Sequence, residues 1–226
     1  KWKKWLSAGL FTAMLGTAII AGPTADVSAN AGNKPYNIEN VSPDAHLAPS
    51  VGDSSSKTSS KAWHKIDGVC YNGSGKKVEG AITRGMDVSE WQGKINWKEA
   101  KKDLDFAFVR ISYGTRHLDD YYDYNMTEAE AADVPVGTYV YSLAKTNKEA
   151  LAEAQLAIRQ MQGHKVSYPV AFDLEDEATL GTLTRKEISQ IALTFCDEIR
   201  KAGYTPILYM NLNWYNNFVD WNVLEG

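Results

Sequence analysis

The run Val170-Ala-Phe-Asp-Leu-Glu-Asp176 sets two carboxylates two residues apart. In an extended strand alternate side chains share a face. Val170, Phe172 and Leu174 then point toward covering helices, and Ala171, Asp173 and Glu175 point toward an interior. At a rise of about 3.3 Å per residue the two acidic Cα atoms lie roughly 6.5–7 Å apart. Like charges that close push one pKa upward, and inward acids are costly unless they have a partner or a task. A protonated carboxyl beside an ionised one is what cleavage of a glycosidic bond requires. The plainer reading is an ion pair with a basic residue, and Arg110 is the candidate partner. Asp87 ends another strand-like run, in Arg84-Gly-Met-Asp-Val-Ser-Glu-Trp-Gln-Gly93, and adds a third acid.

Other chemistries find less support. No H-E-x-x-H occurs, and His46, His64, His117 and His164 are scattered without ligand spacing. No G-x-S-x-G elbow marks a serine hydrolase, and no Gly-rich phosphate loop follows any strand. Neither a metal nor a cofactor is expected. The 24 basic and 28 acidic residues give a net charge of -4, which offers no reason to expect nucleic acid as a partner. Cys70 and Cys196 are too few for a disulfide framework, and whether they pair is open.

The elements that would position the acids repeat as strand, then capped helix. Strands are predicted at 84–88, 106–112, 136–142, 168–175 and 206–211. Asn96, Asn125, Thr146 and Thr184 each precede a Glu by three residues and predict four helix starts. The alternation predicts an α/β fold with a parallel sheet, either open or closed into a barrel. Polar residues gather at predicted strand ends (Asp87, Ser112, Tyr141, Asp173 with Glu175, and Asn211), where barrels keep their sites, and this favours the barrel.

The first part of the chain reads differently. Residues 1–31 have a basic start, an uncharged apolar run from Leu6 to Gly22 and small residues at 27–31, the layout of a secretory signal peptide. Export is therefore expected, with membrane contact only through this segment. Residues 32–61 are Ser-rich and read as a flexible linker. Residues 62–82 form a short extension, with a hairpin turn predicted at Asn72-Gly-Ser-Gly75. The catalytic body is residues 83–226.

Taken together, Asp87-Val-Ser-x-x-Gln-Gly93, Asp119-x-x-Tyr122-x-x-Asn125, Val136-Gly-x-Tyr-x-Tyr141 and Phe172-Asp-Leu-Glu175 resemble the glycoside hydrolase family 25 lysozymes, the Chalaropsis-type muramidases. The resemblance spans residues 83–226. It implies an irregular TIM-like β/α barrel of five β/α units and three further strands. It also implies cleavage of the β-1,4 bond between N-acetylmuramic acid and N-acetylglucosamine, with peptidoglycan glycan strands as partner and a monomeric enzyme. Glu175 matches the general acid, Asp173 the neighbouring acid and Asp87 the first-strand carboxylate. Tyr139, Tyr141 and Asn211 match groove positions. Trp91 and Trp214, just after the first and fifth strands, are placed to stack on sugar rings. The family's last strands and a further acidic residue would fall beyond Gly226, so a longer protein is expected. Asp173 could be a positioner of the substrate acetamide or a direct nucleophile.

Two rival readings stay open. One is an endo-β-N-acetylglucosaminidase or chitinase-like hydrolase, although position 171 is Ala and breaks the longer acidic chitinase run. The other is a non-catalytic wall-binding barrel.

Overall fold

The computed structural model describes residues 64–72 and 75–225. The predicted leader, 1–31, and linker, 32–61, lie outside the described residues. β1 (His64–Ile66) and β2 (Val69–Tyr71) pair antiparallel. Asp67 and Gly68 between them both have positive φ, as the two-residue Asp-Gly hairpin turn requires. After β2, Tyr71 bridges Lys77, the Val78 amide donates to the Cys70 carbonyl over 2.8 Å and the Gly75 amide donates to the Asn72 carbonyl over 2.9 Å. Residues 73 and 74 of the predicted turn lie outside the described residues.

Five parallel strands form the main sheet: β3 (Gly85–Val88), β4 (Phe106–Tyr113), β6 (Val136–Tyr141), β7 (Val166–Asp173) and β8 (Pro206–Tyr209). A two-residue strand β5 (His117–Leu118) folds back antiparallel onto the end of β4. The order is β3-β4-β6-β7-β8, with no reversal. Right-handed crossovers in one unreversed direction put every helix on the same face, leaving the other face to side chains alone. The predicted five-strand parallel arrangement is present. Among the described residues β3 and β8 are the sheet edges, so the sheet itself is open.

The covered face is aliphatic. Val109, Ile111, Val136, Val140, Val170, Phe172 and Leu174 join one core with the helices. In α3 (Asn147–Gln160) the inner stripe is Ala150, Ala154 and Ala157, small enough for close packing. In α5 (Arg185–Lys201) it is Ile188, Ile191, Ala192, Phe195 and Ile199, and Phe195 stacks on Phe172 with centroids 4.1 Å apart. Both helices start where predicted. The Thr146 and Thr184 hydroxyls accept from the Glu149 and Glu187 amides, and Thr184 closes a full capping box.

Asn96 also caps as predicted, accepting from the Glu99 amide, although its helix is only four residues long, α1 (Trp97–Ala100). The remaining predicted start differs. Helix α2 (Tyr122–Ala131) begins before Asn125, which lies inside it, fully buried. There the Asn125 Oδ1 accepts from the Trp97 indole N–H (3.2 Å), so Asn125 tethers α1 to α2 rather than capping. The remaining helices are short: α4 (Glu177–Leu180), α6 (Leu212–Asn217) and α7 (Trp221–Leu224).

Candidate active site

Parallel partners in register point the same way, so the uncovered face can be read across the sheet. Asp87 is paired with Phe108, Arg110 with Tyr139, and Tyr139 with Ala171. Tyr141, Asp173 and Tyr209 form one row. The lower part of this face is an aromatic floor. Phe106 stacks on Tyr168 at 4.9 Å, with Phe108 edge-on to both. Gly85 and Gly137 leave room for these rings, because a Cβ at Gly85 would come 2.2 Å from the Phe106 ring and one at Gly137 2.7 Å from Phe108. The upper part is polar, and the three acids are there.

Asp173 is buried, and its carboxyl is held well above the usual carboxylate range by desolvation first and then by the negative charges of Glu175 and Asp87. Arg110 partly opposes this shift. Glu175 is also raised, by desolvation and by Asp87, against a hydrogen bond from the Asn211 side chain. Asp87 is open to water but set deep between the strands, so desolvation raises it too, against its own main-chain N–H. Burial raises the Tyr209 phenol as well, and all three acids add to the shift, which places it facing the cluster.

The expected ion-pair alternative is not made. Arg110 gives its Nε to Asp119 Oδ2 and its Nη2 to Glu90 Oε1, each at 2.9 Å. Among the described residues no cation pairs with Asp87, Asp173 or Glu175, and Asp173 Oδ1 has no hydrogen-bond partner. Three mutually repelling carboxyls without a counter-ion hold a proton readily, so the face can carry a carboxylic acid beside a carboxylate.

Arg110 instead braces the rim. Asp119 also accepts from the Glu90 amide (2.8 Å) and Glu90 meets His117 Nε2 at 2.8 Å. Together with the Ser89–Gln92 capping box, this fixes the 3-10 turn Glu90–Gln92. Trp91 on that turn is 54% exposed. Below Tyr141, buried Glu153 of α3 accepts from the Ser142 hydroxyl (2.8 Å) and the Leu143 amide (3.0 Å), while the Ser142 amide donates to the Asp173 carbonyl. Burial pushes the Glu153 carboxyl up to about 7.

Asp87, Asp173, Glu175, Tyr139, Tyr141 and Asn211 therefore converge on one mouth, with Trp91 at its edge. Trp214 does not. Asn211 caps α6 at once, and the first turn of that helix carries Trp214 into the core, 1% exposed and stacked on Phe218 at 4.5 Å. Asp220 caps α7.

Ser112, expected among the polar strand ends, faces the covered side, fully buried. A bulge between Arg110 and Ser112 shifts the register, pairing Ser112 with Val140 and Tyr113 with Tyr141. Tyr113 thereby joins the site face, where strict alternation would not have placed it. Tyr209, the last residue of β8 and two before Asn211, follows from alternation alone. Cys70 and Cys196 are both buried, and desolvation pushes the Cys196 thiol up to about 12.

The family model described as glycosyl hydrolases family 25 matches residues 86–225. The chain is 26% identical over 139 residues to the uncharacterized protein YegX of Escherichia coli K12, covering 58% of this chain and 49% of that protein. It is 38% identical over 60 residues to lysozyme M1 of Streptomyces globisporus, 26% of this chain and 20% of that one. The chain thus spans at most about half the length of these curated relatives. Its fold is like that of the modular autolysin LytC from Streptococcus pneumoniae (TM-score 0.58, 23% identity, 69% of this chain and 39% of that one). It is also like that of a family 25 glycosyl hydrolase from Bacillus anthracis (TM-score 0.53, 23% identity, 60% of this chain and 64% of that one).

Proposed function

Because the chain belongs to the glycosyl hydrolases of family 25, we propose that the whole protein is an exported peptidoglycan hydrolase. It cuts the β-1,4 bond between N-acetylmuramic acid and N-acetylglucosamine. The observation that carries this reading is the set of three unneutralised carboxyls, Asp87, Asp173 and Glu175, on one face of the sheet. The local likeness to lysozyme M1 supports the substrate. The leader at 1–31 supports export, and the unreversed strand order supports a β/α barrel in the whole protein.

Glu175 is the general acid. Its raised pKa keeps a proton available for the leaving oxygen, and the Asn211 amide group orients its carboxyl. Asp173, buried and without a cation, sits where positive charge develops at the sugar carbon or on an acetamide drawn up against it. That single position serves acetamide assistance and direct attack alike. Asp87 closes the cluster and raises the other two acids. Tyr139, Tyr141 and Tyr209 line the pocket, and Trp91 offers a ring to the strand at its edge.

The test is product analysis. Purified peptidoglycan is digested with the full-length protein or its Glu175→Gln variant, and the new sugar ends are reduced and identified. New muramic acid ends that vanish with the variant are expected. New glucosamine ends would turn the reading to a glucosaminidase. No new ends from folded, wall-binding protein would leave a binding module.

A further inference from the structure

The mouth carries an aromatic surface that the acid chemistry does not use. Tyr113 lies on the site face only because of the bulge after Arg110, and bulges beside active sites commonly re-aim a side chain. One face of its ring is stacked on Tyr141, with centroids 4.9 Å apart and planes 18° from parallel. The residue is still 37% exposed. Its hydroxyl donates to Asp176 Oδ2 at 3.1 Å, and Asp176 Oδ1 in turn accepts the Thr179 amide at the start of α4. The ring is therefore held at both its face and its hydroxyl before any ligand arrives. Tyr141 beneath it feels the charges of Asp173 and Glu175, so the stack adjoins the acids.

We propose that the open face of Tyr113 is a sugar-binding platform, holding a pyranose ring of the glycan next to the ring pair being cut. The inference rests on the hydrolase reading above and adds a subsite to it. A β-linked pyranose presents a flat patch of C–H groups that an aromatic face accepts, while its hydroxyl and acetamide edges stay wet. A pre-held ring loses little freedom on binding. Asp176, fixed alongside, offers an acceptor to the same sugar's rim.

Binding is measured with the full-length Glu175→Gln protein and peptide-free glycan strands from peptidoglycan. Tyr113→Leu in that background keeps bulk over Tyr141 but removes the ring, and is expected to weaken binding about three- to tenfold. Tyr113→Phe, which loses only the hydroxyl, should bind within about twofold of the parent, and Tyr113→Trp should bind at least as tightly. The melting temperature of each variant is followed in parallel. The platform is overturned if the Leu variant binds like the parent, or if the Phe variant falls as far as the Leu variant. If the Glu175→Gln parent binds no strand at all, the hydrolase reading fails and the platform goes with it. A binding parent with an unaffected Leu variant sinks the platform alone.

Discussion

Asn211 serves two partners with one amide. Its Oδ1 accepts the Trp214 N–H at 3.1 Å and caps α6, which leaves its NH2 group to donate to the Glu175 carboxylate. The cap fixes which end of the amide faces the acid, so a helix start tempers the rise that burial imposes on a site carboxyl.

Asn211→Asp keeps the cap and removes the donor. The bond from Asn211 lowers the Glu175 pKa, so its loss, with an added negative charge, should raise it. With Glu175 as the acid, the alkaline limb of kcat/KM should move to higher pH, and the melting temperature at pH 7 should fall somewhat because a fourth carboxyl joins the cluster. Asn211→Ala should also lose about 1 kcal/mol through the missing cap. An unmoved alkaline limb in the Asp variant would dissociate Asn211 from the acid.

The carboxyl cluster should destabilise the fold above acidic pH. Asp87, Asp173 and Glu175 all have folded pKa values above their unfolded ones. The folded state then holds protons more tightly, and stability falls as pH rises from the unfolded value near 4 through the folded values. Asp173→Asn and Glu175→Gln should each melt higher than the parent at pH 7, with the gap closing toward pH 4. Glu175→Gln should lose about 10²- to 10⁴-fold in turnover. Thermal melts across pH, set beside rates, check both halves.

Glu153 gives the same sign away from the acids. Its carboxyl is raised from 4.5 to about 7 while it holds Ser142 and Leu143. Relative to Glu153→Gln, the parent should lose stability between about pH 4.5 and 7 and no more above that, on the order of 3 kcal/mol. A gap that is flat over this range in denaturant titrations would refute it.

The two tryptophans after strands should part company. Trp214→Ala removes a buried ring and should destabilise by about 3–5 kcal/mol. Trp91→Ala should leave the melting temperature close to the parent's and weaken retention on purified cell walls by a few fold. A large stability loss at Trp91 would make it a packing residue.

The inward face of Asp173 is legible because β7 alternates regularly from Val170 to its end at Asp173 and its partners keep the same phase, whereas Glu175 lies past the strand's end. Apolar alternation likewise marks β4, β6 and β7, whereas β3, Gly-Met-Asp-Val, carries no such run. Tyr113 was not readable. The bulge that turns it inward arises where β4 matches β6 on one side and β5 on the other, and no local residue announces it. Asn125 had the form of a cap, yet burial against Trp97 decided its place. Trp214 looked like a rim residue until the immediate start of α6 turned it inward. The Asp67-Gly68 turn is legible in the sequence, since both residues favour positive φ.

The aromatic floor of Phe106, Phe108 and Tyr168 makes the cleft a dead end. On the proposed hydrolase reading, a glycan strand would then lie across the strand tips instead of threading between the strands, and cutting would not need to start from a chain end.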